Sequence, residues 1–128
     1  MSVKPVRLPR PVVNDHDSRE LKIRLYAGSV AAFGPGKADL LEAIMRTGSI
    51  SAAGRELAMS YRRCWNLVDE MNACFAEPLV MSVSGGAGGG GARVTEAGQR
   101  VLLDFRALEA EVWRVALPRL RALRRLLR

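Results

Sequence analysis

Thr47-Gly48-Ser49-Ile50-Ser51-Ala52-Ala53-Gly54-Arg55-Glu56-Leu57-Ala58-Met59-Ser60-Tyr61-Arg62-Arg63-Cys64-Trp65-Asn66-Leu67-Val68-Asp69 reads as two short helices joined by a tight turn. Ser49 is placed to cap the first helix, whose Ala53 and Leu57 face inward, and Ser60 to cap the second. On a wheel of 100° per residue, Cys64, Leu67, Val68, Met71 and Phe75 fall on one side of the second helix. Arg62, Asn66 and Asp69 fall opposite, with Arg63 and Glu70 on one flank and Tyr61 and Trp65 on the other. A helix with such a wet face, held at a fixed angle by the helix before it, suits the major groove of DNA.

Working outward, Gly34-Pro35-Gly36-Lys37 announces an earlier helix, because proline is tolerated in a first turn. Leu40, Leu41, Ile44 and Met45 give it one apolar face, and Gly48 stops it. Further upstream, Leu21, Ile23 and Leu25 alternate with Lys22 and Arg24, the period of a half-buried strand. Gly28 to Phe33 fits neither period. Residues 1–20 mix prolines with charges and are expected to form a disordered basic arm.

Downstream, Pro78 ends the second helix of the motif. Leu79 to Ser84 is strand-like, and Ala92 to Thr95 can return beside it. Between them, Gly85 to Gly91 holds six glycines in seven residues, a tip that no side chain stiffens. From Glu96 the helical period returns. Val101, Phe105, Leu108, Val112 and Val115 are spaced 4, 3, 4 and 3, a short heptad seam suited to dimerisation. Pro118 is expected to kink or end that helix. The last ten residues set five arginines among four leucines, an amphipathic tail.

These pieces predict a mainly α chain with a small β-hairpin wing: a winged helix-turn-helix over 21–95, then a dimerisation helix and basic tail over 96–128. The length of 128 residues suits one such domain, and 48% apolar residues suit an ordinary core. The net charge of +7 is typical of proteins that meet phosphate. Two cysteines without a pairing pattern, no signal-peptide core and no apolar run of about 18 residues point to the cytoplasm and to no membrane partner. Cys64 and Cys74 lie about 15 Å apart along one helix and cannot bridge within it. Cys64, on the apolar stripe, is expected to be a small core residue.

Arg62, Arg63 and Asn66 are the leading candidates for base contact, since arginine pairs with guanine O6 and N7 and asparagine with adenine N6 and N7. Ser60 and Tyr61 at the helix start are candidates for phosphate, and Ser49 and Ser51 at the start of the helix before it are further candidates for DNA contact. Gly88, Gly89 and Arg93 complete the set on the wing. A solvated polar face on a plain three-helix bundle would look similar; the glycine hairpin, the basic charge and the seam favour DNA. A phosphate-binding enzyme loop is rejected, because Gly91 is followed by Ala-Arg-Val-Thr rather than Lys-Ser/Thr and a helix. His16, the one histidine, lies in the arm. No metal-ligand spacing, cofactor motif or nucleophile–base pair is present, and Glu42 and Asp104 read as surface charges.

Together, Leu41-Glu42-Ala43-Ile44, Thr47 to Ser51, Met59 to Trp65, Glu70-Met71-Asn72, Gly85 to Ala92 and Val94-Thr-Glu-Ala-Gly98 resemble the N-terminal DNA-binding domain of ModE-type molybdate-responsive regulators. The resemblance covers about residues 21–117. LysR-type regulators share the Gly-Ser-Ile-Ser-x-Ala-Ala start and the Leu-Thr-x-x-Gly close, without the glycine wing. The resemblance implies a homodimer on a palindromic promoter site, with Ser60 to Asn66 in the recognition helix and Gly85 to Arg93 in the wing. Asn66 departs from the aspartate expected after the tryptophan. ModE-type proteins of full size carry C-terminal oxyanion-binding domains, whereas this chain ends at Arg128. Sensing is therefore expected to fall to a separate molybdate-binding protein, to another signal, or to none. The alternative reading is a dimeric adaptor that keeps the fold and binds a partner protein.

Overall fold

The computed structural model describes residues 21–84 and 90–128. The expected basic arm, with His16, and the wing residues Gly88 and Gly89 lie outside them. The order is β1 (Leu25–Ala27), β2 (Val30–Phe33), α1 (Pro35–Thr47), α2 (Ile50–Glu56), α3 (Tyr61–Cys74), β3 (Val80–Val83), β4 (Gly91–Val94) and α4 (Glu96–Arg124). Three helices, a wing hairpin and a long last helix make this a winged helix-turn-helix, as the pattern predicts.

The alternation at 21–26 marks a shorter strand than expected. Leu21 and Ile23 are half-buried, but Leu25 is exposed and opens β1. Gly28, at φ 61°, and Ser29 turn the chain into β2, which pairs antiparallel with β1. Gly28 to Phe33 is thus the second half of a hairpin, whose Ala32 and Phe33 are buried. Phe33 stands edge-on to Phe75 and to Phe105, joining β2, the end of α3 and α4.

Helix α1 opens on Pro35 and closes at Gly48, whose φ of 70° suits a residue without Cβ. It buries Leu40, Leu41 and Ile44, but Met45 is exposed, one step beyond the core-facing arc. Lys37 is 6% exposed, and its Nζ donates to Glu70 on α3 at 2.9 Å and to the carbonyl of Ala31 on β2. A buried ammonium with both partners in place fixes α1 against α3.

Helix α4 runs through Pro118 to Arg124 instead of ending there. Arg106 binds it to α1, with Nη2 to Asp39 at 2.7 Å and Nε to Glu42 at 2.7 Å, while Nη1 meets Glu109 at 2.8 Å. Glu42 is therefore a half-buried ion-pair partner rather than a plain surface charge. Asp104, paired with Arg100 in the open, is the surface charge expected.

Candidate nucleic-acid interface

Helix α3 begins as its sequence predicts. The Ser60 Oγ accepts from the backbone N–H of Arg63 at 3.1 Å, so this hydroxyl caps the helix. Cys64, Val68 and Met71 are buried, and Leu67 and Phe75 are partly buried against the core. Tyr61, Arg62, Arg63, Asn66 and Asp69 are exposed. Cations and amide occupy the first half of this face, while Asp69 lies in the second half and Glu70 is drawn to Lys37. The N-terminal half of α3 is thus the positive end, the half that reads bases in helix-turn-helix proteins.

The turn ahead of α3 is tight. Met59 N–H donates to the Gly54 carbonyl at 2.8 Å, and Ala58 takes a left-handed φ of 55°. A Cβ on Gly54 would stand 2.8 Å from the Cys64 Sγ, so glycine there sets how closely α2 crosses α3. Burial pushes the Cys64 thiol up, keeping it a neutral core group.

Ser49 caps α2, its Oγ accepting from Ala52 N–H at 3.1 Å and lying 3.0 Å from the Ser51 Oγ. Both hydroxyls are half-buried and engaged with the chain itself. Trp65 packs on the core and meets Tyr61 edge-on, with ring centroids 6.1 Å apart. Its indole Nε1 is buried and has no hydrogen-bond partner among the described residues. The exposed Tyr61 ring is thus in contact with a side chain that packs on the core.

The wing is held by residues that charge and periodicity do not flag. Asn72 on α3 accepts from the N–H groups of Leu79 (2.8 Å) and Val80 (3.2 Å), and donates to the Val80 carbonyl (3.0 Å). Thr95 donates to the Pro78 carbonyl at 2.7 Å while capping α4. Gly98 lies so close to the Leu79 carbonyl that a Cβ would overlap it. In the ladder Val80 faces Val94 and Met81 faces Arg93. Val80, Ala92 and Val94 are buried, and Met81 and Arg93 point outward. Arg93 lines an open cleft with Met81, Thr95, Glu96 and Gln99, beside the first turn of α4.

The seam residues of α4 do not share one surface. Phe105 is buried in the chain's own core, and Val101 packs against it. Val112 is half-buried, whereas Leu108 and Val115 are exposed. Trp113, which the seam omits, is buried. Among the described residues no group of His, Cys, Asp or Glu could hold a metal ion. No described helix is long and apolar enough to cross a membrane.

Residues 37–99 match the bacterial regulatory helix-turn-helix protein, lysR family. The chain is 47% identical over 81 residues to the molybdenum transport protein ModE of Azotobacter vinelandii, covering 63% of this chain and 30% of that protein. It is 46% identical over 82 residues to the molybdenum-pterin-binding protein MopB of Rhodobacter capsulatus, covering 64% and 30%. Against the DNA-binding transcriptional dual regulator ModE of Escherichia coli (strain K12) the identity is 40% over 68 residues, covering 53% and 26%. The chain thus spans less than a third of the length of these relatives.

Proposed function

We propose that this chain, whose residues 37–99 form a LysR-type helix-turn-helix of the kind found in ModE regulators, is a sequence-specific DNA-binding transcription regulator in molybdate-related gene control. It acts in the cytoplasm as a homodimer on a palindromic promoter site and catalyses no reaction. The observation that carries this reading is the exposed first half of α3, where Arg62, Arg63 and Asn66 stand free of the core. Arg62, Arg63 and Asn66 contact base edges. Tyr61 and Ser60 serve the phosphates, and Ser49 and Ser51 at the start of α2 with Gly88, Gly89 and Arg93 on the wing complete the DNA contact. Leu108, Val112 and Val115 supply the dimer contact, while Val101 and Phe105 hold α4 to its own domain. A separate molybdate-binding protein is the partner that carries the signal.

The test is genome-wide footprinting with and without molybdate, followed by competition binding on the recovered site. Arg62→Ala is expected to lower affinity for that site about 10- to 100-fold, while binding to random duplex changes little. Equal loss on both would reduce Arg62 to a phosphate contact.

A further inference from the structure

The start of β4 is fastened to the turn between α1 and α2. Ala92 N–H donates to the Gly48 carbonyl at 2.9 Å. A Cβ on the neighbouring Gly91 would lie 2.6 Å from that same carbonyl oxygen, closer than any side chain can sit. Gly48 itself holds the left-handed φ of 70° that closes α1 and aims its carbonyl at β4. The contact thus joins two glycines: at Gly91 a Cβ would meet the carbonyl, and at Gly48 the space is open but the positive φ disfavours a side chain.

Its place in the hairpin gives it leverage. Asn72 and Thr95 hold the base of the hairpin, at Leu79, Val80 and Pro78. Gly91 pairs with Val83 at the other end of the ladder, three pairs from Val80↔Val94 or about 10 Å along the strand. A hairpin held only at its base can swing about that base. The Gly48 carbonyl, with the buried Ala92 beside it, is a second hold toward the other end of the ladder and ties β4 to the turn that leads into α2.

We propose that Gly91 is a positioning residue for DNA recognition. Through Gly48 it keeps β3–β4, and with them Arg93, in one fixed setting relative to α3, so that wing and recognition helix engage a duplex together. This rests on the DNA-binding reading above.

The test uses two variants of the whole chain that attack the contact differently. Gly91→Ala crowds the carbonyl, and Ala92→Pro removes the donor that points at Gly48. Each is footprinted with hydroxyl radicals on the site recovered for the unaltered protein, with thermal unfolding followed alongside. Gly36→Ala is the control, since a Cβ there meets nothing within 4 Å. Both test variants are expected to lose or displace protection flanking the major-groove contacts and to bind the full site at least 10-fold more weakly. On a duplex trimmed to the major-groove element they should match the unaltered chain within about twofold.

Unchanged flanking protection in a folded Gly91→Ala or Ala92→Pro protein would overturn the proposal. Equal loss on the full and trimmed duplexes would also overturn it, because the contact would then serve α3 rather than the wing. If the unaltered chain binds no duplex, the DNA-binding reading and this one fall together. Weak flanks with an intact centre sustain both.

Discussion

Asn66 stands one turn beyond Arg62 on the exposed face of α3, and neither touches the core. An amide there can offer a donor and an acceptor together, which the aspartate expected from the family resemblance could not. Asn66→Ala is expected to cost about 1–3 kcal/mol of discrimination at a single base position. Competition against duplexes altered one position at a time checks this, and a uniform loss across all positions would contradict base contact. On the opposite face, Cys64 is buried where α3 meets α2. Its folded pKa lies above its unfolded value, so its contribution to stability is complete below the ordinary thiol value of about 8.5 and declines as pH rises above it. Urea midpoints should fall above that pH, and Cys64→Ala should flatten this part of the profile even if it lowers the midpoint throughout.

The elements are joined by a few polar clamps around an apolar centre. Arg106 is the largest, one guanidinium serving Asp39, Glu42 and Glu109 between α1 and α4. Three carboxylates around one cation depend on that cation, although solvent screens the half-exposed Asp39. Desolvation lowers the Arg106 pKa, but the hydrogen bonds to Glu42, Glu109 and Asp39 outweigh it and leave a net rise, so the charge persists at every ordinary pH. Arg106→Gln is expected to lower stability by about 2 kcal/mol in urea denaturation, because it leaves the carboxylates facing one another. A change below about 0.5 kcal/mol would show that water replaces the clamp at little cost. Pro118 is a different case: α4 continues through it rather than ending there. Proline forfeits one backbone hydrogen bond and crowds the preceding turn, and the helical residues on both sides hold the conformation.

For the whole molecule, α4 has two tasks that its heptad spacing does not separate. Its first half closes the core through Leu102 and Phe105, and further along it Leu108 and Val115 remain exposed. A double Leu108→Glu/Val115→Glu variant is expected to keep the fold and sediment as a monomer, because the new charges would oppose each other across the proposed seam. Sedimentation velocity with circular dichroism checks this; a folded variant that still sediments with the unaltered chain would move the dimer contact elsewhere.

Local chemistry decided much of this protein. Proline and glycine bounded α1, Ser49 and Ser60 capped α2 and α3, and the 100° period sorted Cys64, Val68 and Met71 from Arg62 and Asn66. Such features depend on neighbours within one or two turns, so the order of residues alone specifies them. What only the tertiary structure decided lies in contacts between distant segments. Lys37 reaches Glu70, Asn72 takes the start of β3, Arg106 gathers carboxylates from α1, and Gly91 lies against Gly48. Leu25 and Met45 turned outward, and Phe105 inward, for the same reason. Periodicity names a face, but which faces meet depends on how the whole chain closes.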